Sequence, residues 1–362
     1  LSAIHQFIPT LAPKDAIGAH TLALRELLRD LGWESEIYAW EAKDNLASVA
    51  RPWQGYRKPR GKATVWLWYQ GSIASPIADF LAARSEPKVL NYHNITPYEL
   101  VAGWEEGLAK AVVFGRQQIA RLAPHVTLAM AVSRFNADDL RGMGYRRLVV
   151  APLLLQESFF STEPDPEVLE ALQEKKASGG LVWLFVGRLS PHKAQHRLIA
   201  ALALFRRAYD PGARLWLVGS VASVGYEAAL RRYAAELGLG DAVVFAGSVS
   251  EEALVAYYKE ADCFVCASEH EGFCVPVVEA LWNSLPVVAL AKGALPETVG
   301  DAGLLVADSR PATLAAAVAK VAHEGPLRAE LARRGPLRAW QFHPSVTRHL
   351  LAELIMAELG RP

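Results

Sequence analysis

The chain alternates between two hydrophobic patterns. Short unbroken apolar runs, of the kind buried on both faces of a parallel sheet, are followed by stretches with apolar residues at helical spacing. Residues 3–8 read as a strand. Residues 19–31 read as a helix, with Leu22, Leu24, Leu27, Leu28 and Leu31 on one face and Gly32 closing it. Further strands are expected over 36–40, 64–69, 89–92, 127–132 and 148–151, with helices over 107–122 and 136–143. Pro164, Pro166 and the charged segment 170–176 break the pattern and mark a junction. The alternation then restarts, with strands over 181–186, 214–218, 242–245, 263–266, 287–290 and 304–306. Between them fall helices over 196–208, 226–237, 251–260, 277–282 and 312–323. The pattern predicts an α/β protein with two doubly wound, Rossmann-like parallel-sheet domains, residues 1–155 and 181–343, joined by a linker over 156–180. Ligands of such folds lie at the carboxyl ends of strands, here in an interdomain cleft.

Composition narrows the function classes. A length of 362 residues suits two domains, and 52% apolar residues suit a well-buried globular chain. The formal net charge of zero gives no argument for nucleic acid or for an anionic membrane. Three cysteines are too few for a disulfide framework and point to a reducing compartment. Cys263 and Cys266 share a strand, where side chains three apart face opposite ways, so buried apolar thiols are expected rather than a metal pair. The chain starts at Leu1 and shows neither a signal-peptide pattern nor an apolar run of bilayer length, so a cytoplasmic location is expected. The segment Arg51-Pro52-Trp53-Gln54-Gly55-Tyr56-Arg57-Lys58-Pro59-Arg60-Gly61-Lys62 is basic, aromatic and free of acids. A solvated loop is the simpler account; contact with anionic lipid at the inner membrane face, or with a phosphate-bearing acceptor, is the alternative.

The densest chemistry lies in Glu271-Gly272-Phe273-Cys274-Val275-Pro276-Val277-Val278-Glu279. It follows an apolar strand and runs into a helix with Pro276 at its first position, which puts Glu279 in the first turn and Glu271 in the loop. Free amides at such a helix start suit phosphate oxygens; one carboxylate suits ribose hydroxyls and the other a hydroxylated ring. Two glutamates that merely complement a helix dipole are the plainer account. The company they keep decides against it. Gly187-Arg188-Leu189-Ser190-Pro191-His192-Lys193 directly follows the strand over 181–186, so Arg188 can fork phosphate oxygens and Lys193 can add a point charge. His93 follows another strand, and Gly18 precedes a helix where a backbone could approach a phosphate, although a turn glycine explains it too.

Taken together, Val186-Gly187-Arg188 with Lys193, Phe245 with Gly247, Ser268 with Glu271-Gly272-Phe273, Pro276 with Glu279-Ala280, Pro286-Val287-Val288, and Gly293 with Glu297 resemble glycosyltransferase family 4. The resemblance is dense in the second half and rests on Gly18, the His93 segment and Val132-Ser133 in the first. It implies the GT-B architecture, with a C-terminal helix over 344–362 packing back on the first, acceptor-side domain. It implies a retaining enzyme that uses a UDP- or GDP-linked sugar as donor substrate, with no further cofactor. Arg188 and Lys193 then bind the donor diphosphate next to Gly187, Glu279 the ribose and Glu271 the transferred sugar. The amides of Phe273, Cys274 and Val275 face sugar and phosphate. Ser248 and Val249 border the base, Gly18 lies near the diphosphate, and His93 touches the donor sugar from the other domain. Three departures stand out: Cys274 replaces the glycine usual in the loop, Asp15-Ala16-Ile17-Gly18 replaces a glycine-rich pair, and Leu153-Leu154-Leu155 replaces an Asn-Gly turn.

No Asp-x-Asp occurs, so a metal-chelated diphosphate is not indicated, and the cations and helix amides would stabilise the leaving group. The resemblance further implies front-face attack by an acceptor hydroxyl of a glycan, a lipid-linked saccharide or a small molecule. A nucleotide-sugar epimerase of the same architecture and a non-catalytic nucleotide-sugar-binding protein are the competing readings. A nicotinamide dehydrogenase is disfavoured, because no Gly-x-Gly-x-x-Gly follows the first strand.

Overall fold

The computed structural model describes residues 2–13, 15–59, 61, 64–177 and 179–362. Arg60 and Lys62 of the basic segment lie outside the described residues. The chain divides into two compact units, one of residues 1–98, 107–156 and 342–362, the other of 99–106 and 157–341.

The first unit is built on a seven-stranded, all-parallel sheet: β1 (Ala3–Leu11), β2 (Ile37–Ala42), β3 (Arg51–Pro52), β4 (Val65–Gly71), β5 (Lys88–Tyr92), β6 (Leu128–Ala131) and β7 (Leu148–Val150). Their order is β3-β2-β1-β4-β5-β6-β7, so the winding reverses between β1 and β4. One face of the sheet carries Ile4, Trp66, Trp68, Val89 and Met130. Against it pack Leu24, Leu27 and Leu28 of the helix Ala16–Asp30, and Leu351 and Ile355 of the helix Pro344–Leu359. That last helix is pinned at both ends by ion pairs, Arg348 to Asp30 and Arg147 to Glu358.

The second unit holds a six-stranded parallel sheet: β8 (Val182–Val186), β9 (Arg214–Val218), β10 (Val243–Gly247), β11 (Cys263–Cys266), β12 (Val287–Leu290) and β13 (Gly303–Val306). The order β10-β9-β8-β11-β12-β13 reverses between β8 and β11. Such a reversal leaves a crevice at the carboxyl ends of the two central strands, because their connections leave towards opposite faces.

One segment differs from its sequence reading, and one helix lies where none was read. Residues 166–177 form a helix, Pro166–Ala177, where a linker was expected. Asp165 caps it by accepting from the amides of Glu167 and Val168, and Lys176 ties its end to Asp262 at 3.0 Å, so it belongs to the second unit. The helix Gly325–Trp340 contains Gly335 and Pro336, residues that argue against a helix in isolation. Tertiary packing outweighs propensity here. A Cβ at position 335 would lie 2.7 Å from the carbonyl oxygen of Leu281, so glycine is what lets this helix close on Val275–Trp282.

Candidate functional site

In the second unit the two central strands supply the chemistry. β8 ends in Gly187 and Arg188, and β11 leads into the Glu271 loop, so the two predicted clusters leave the sheet on either side of the point of reversal. Arg188 is exposed, and among the described residues no carboxylate pairs with it. Lys193 behaves otherwise. Its Nζ donates to Glu271 Oε1 at 2.7 Å, and its side chain is only 18% exposed. Burial alone would depress the Lys193 pKa, but the Glu271 carboxylate outweighs it and raises the ammonium above its ordinary value. The cation assigned to a diphosphate and the carboxylate assigned to a sugar thus form one unit.

The loop around Glu271 is held from below. Ala294 donates its amide to the Glu271 carbonyl at 2.9 Å. Gly293 has φ +58°, and a Cβ there would meet the Glu271 backbone oxygen at 2.7 Å and nitrogen at 2.8 Å. Only glycine fits both the left-handed backbone and the close approach. Thr298 Oγ1 donates to the Phe273 carbonyl and fixes the loop's far end at 2.5 Å.

The helix after this loop starts earlier than expected, at Val275, so Pro276 stands second rather than first. Glu279 therefore falls beyond the first turn, not within it. Cys274 precedes the helix in the left-handed region, φ +77° and ψ +73°, and the helix begins directly after it. Among the described residues the amides of Cys274 and Val275 have no acceptor, while Val277 donates to the Cys274 carbonyl. Two unpaired N–H groups at a helix start are a site for an anion.

Glu279 is held by Tyr258, whose hydroxyl donates to Glu279 Oε2 at 2.7 Å. Burial pushes the Glu279 carboxyl up to about 7; the tyrosine hydrogen bond pulls the other way, and Glu251 adds to the rise. Tyr258 was missed in the sequence, where it reads as one more apolar residue of the helix Glu251–Glu260. Ser248 is exposed and Val249 half-buried, both just past β10.

Cys263 and Cys266 are both buried, as expected, and so is Cys274. Cys266 Sγ donates to Ser268 Oγ at 3.3 Å and lies within 4.8 Å of the Cys274 thiol, eight residues on; that neighbouring thiol, with burial, raises the Cys274 pKa well above its ordinary value. Among the described residues Cys266, Glu271 and Cys274 place three ligand-type atoms within 4.8 Å of one another.

The first unit contains His93 and Gly18. His93 follows β5, donates its amide to the Gly71 carbonyl at 2.9 Å, and places Nε2 2.7 Å from Gln70 Oε1. The ring proton therefore sits on Nε2 and leaves Nδ1 as acceptor. Burial, with His20 beside it, pushes the His93 pKa well below the usual imidazole range, so the ring is neutral. A buried polar chain supports it: Gln70 donates to Gln6 at 2.9 Å, and Asn91 bridges Gln70 and His20 at 3.1 and 2.9 Å. None of these partners was singled out in the sequence; polar residues inside strand runs were the available signal. The Gly18 amide is committed to Asp15 Oδ2, 2.9 Å away, which caps the helix Ala16–Asp30. A Cβ at Gly18 would lie 2.9 Å from the Ala12 carbonyl oxygen, so close packing accounts for this glycine. Ser133 is likewise a cap, accepting from the Asn136 amide.

Residues 170–338 match the family described as glycosyl transferases group 1. The match lies within the second unit and covers just under half of the chain. A D-inositol 3-phosphate glycosyltransferase of Geodermatophilus obscurus is 33% identical over 211 residues, 56% of this chain and 46% of that protein. One of the same name from Acidothermus cellulolyticus is 38% identical over 208 residues, 55% and 46% of the two chains. The chain thus spans about half the length of these relatives. Among solved structures, Anabaena HepE in complex with UDP and glucose superposes with a TM-score of 0.74 at 19% identity, covering 98% of this chain and 100% of that one. Sucrose-phosphate synthase from Thermosynechococcus elongatus gives 0.75 at 18% identity over 99% and 100%. These likenesses, with the two parallel sheets, define the GT-B fold.

Proposed function

We propose that the chain is a retaining glycosyltransferase that moves a hexose from a UDP-linked donor to an acceptor hydroxyl. The observation that carries this reading is the grouping after β8 and β11: an unpaired Arg188, two unpaired helix-start amides, and the Lys193–Glu271 pair. In this reading Arg188 and the amides of Cys274 and Val275 take the diphosphate oxygens and hold the charge that grows as the glycosidic C–O bond breaks. Lys193, drawn from Glu271 towards the diphosphate, adds countercharge of the kind a divalent ion supplies elsewhere. Glu271 accepts from hydroxyls of the hexose, and Glu279, once ionised, from both ribose hydroxyls. His93, neutral, is assigned a sugar hydroxyl through Nδ1. The acceptor hydroxyl attacks the face the diphosphate leaves and passes its proton to a donor phosphate oxygen.

UDP is preferred over GDP because the HepE structure holds UDP. The acceptor is a glycan, a lipid-linked saccharide or a small polyol; D-inositol 3-phosphate, from the relatives' name, belongs in the first panel tested. Among the described residues no helix is long and apolar enough to cross a membrane. The test is incubation with UDP- and GDP-hexoses and that acceptor panel, read by product mass and by NMR of the new anomeric centre. Transfer with retained configuration supports the reading. Epimerised donor without transfer, or inverted product, overturns it.

A further inference from the structure

We propose that Cys266, Cys274 and Glu271 form a binding site for a thiophilic divalent cation of the zinc class, which competes with Lys193 for the Glu271 carboxylate. The three donors come from three different parts of one brace: the last residue of β11, the loop after it, and the residue that opens the helix Val275–Trp282. All are buried, at 1%, 8% and 7% exposure respectively for Cys266, Cys274 and Glu271. Their ligand atoms lie within 4.8 Å of one another, so small side-chain rotations bring them to the edge lengths of a tetrahedron around one ion. Two thiolates and a carboxylate suit Zn²⁺ or Cd²⁺ rather than Mg²⁺ or Ca²⁺, which take oxygen ligands. Three protein ligands leave a fourth position open, for water or for a phosphate oxygen.

Cys274 is the residue that makes the cluster. Its backbone lies at φ +77°, where glycine is at ease and a cysteine is strained, and its thiol lies within 4.8 Å of that of Cys266. Cys263, by contrast, shares β11 with Cys266 but contributes no atom to the group. Binding is an exchange whose charges balance: the two thiols release two protons to solvent, and the Lys193 ammonium gives up Glu271 and stays charged. On the transferase reading above, an occupied site takes Glu271 from the sugar and so inhibits turnover reversibly. The binding itself does not depend on that reading.

The experiment is titration of the reduced, chelator-treated full chain with Cd²⁺, followed by the thiolate-to-metal charge-transfer band in the ultraviolet. A band that saturates at one ion per chain is expected, with Zn²⁺ displacing it. Cys274→Gly, which relieves the strained backbone and so folds, and Cys266→Ser should each abolish the band. Cys263→Ala should keep it. Lys193→Ala, which removes the competitor, should tighten Cd²⁺ binding by about tenfold or more. Absence of a saturable band, its persistence in Cys274→Gly, its loss in Cys263→Ala, or weaker binding by Lys193→Ala overturns the proposal. Turnover is read separately: a saturated band with undiminished transfer by the wild type overturns the competition for Glu271, and a failed transferase assay leaves the metal titration still decisive.

Discussion

Glu279 gives the sharpest physical prediction, because its protonation should be visible in binding. Burial holds its carboxyl at about 7, so near neutral pH the group is half ionised. Ribose hydroxyls are donors and need the carboxylate. Between pH 8 and pH 6 the ionised share falls from about nine-tenths to about one-tenth, which should weaken nucleotide binding about tenfold, about 1.4 kcal/mol. The terminal phosphate of UDP titrates in the same range, so wild type must be compared with Glu279→Gln. Calorimetry with UDP at both pH values should show a tenfold larger pH effect in the wild type than in the variant. Equal pH dependence in the two proteins would refute the assignment of Glu279 to the ribose. Stability without ligand should move consistently. The folded pKa is raised above the unfolded value of 4.5, so folding disfavours the ionised form, and stability is lost as pH rises from 4.5 through about 7. Glu279→Gln should therefore gain on the wild type by up to about 3 kcal/mol at pH 8 and by little at pH 4 in denaturant melts.

Three further outcomes follow from the same geometry. Arg188→Ala should lower UDP affinity by roughly 1.5–3 kcal/mol and leave uridine affinity unchanged; equal losses for both ligands would remove the diphosphate role. Gly293→Ala, which drives a Cβ to 2.7 Å from the Glu271 carbonyl oxygen, should cost about 1–3 kcal/mol in melts and depress turnover; an unaltered protein would contradict the brace. His20 is held neutral by burial, its pKa lowered to about 3, so below pH 6.5 the unfolded chain takes up a proton that the folded ring refuses, and stability falls towards pH 3 at about 1.4 kcal/mol per pH unit. His20→Gln should flatten that acid limb by one proton's slope, and an unchanged limb would show that the ring titrates normally.

Much of the fold was legible because parallel strands buried on both faces are apolar without interruption, as in β8 and β11. What escaped has physical reasons. β3 is two residues long and exposed, so it carries no apolar signal. The helix Pro166–Ala177 buries only Leu172 and looks like a charged linker. The helix Gly325–Trp340 contradicts its own propensities at Gly335 and Pro336, and only its contact with Leu281 explains the glycine. The transfer of the helix Pro344–Leu359 to the first unit came from the family resemblance; its hydrophobic pattern names no partner. At the site, residue types and positions could be read, but pairings could not. Glu271 and Glu279 stood out, yet Lys193 on Glu271 and Tyr258 on Glu279 join residues 78 and 21 positions apart. That Cys263 and Cys266 face opposite ways could be read from the strand period, but the approach of Cys274 to Cys266, eight positions on, could not.

The central claim is that the braced Glu271 carboxylate serves the transferred sugar, and hexose transfer by wild type and Glu271→Gln tests it most directly. Glutamine keeps the shape and can still accept from Lys193, so folding and UDP affinity should stay close to those of the wild type. Its turnover with the matching UDP-hexose should fall about a hundredfold, as expected when one preorganised charged contact to the reacting sugar is lost. A folded Glu271→Gln protein that binds UDP and transfers hexose at the wild-type rate would contradict the account.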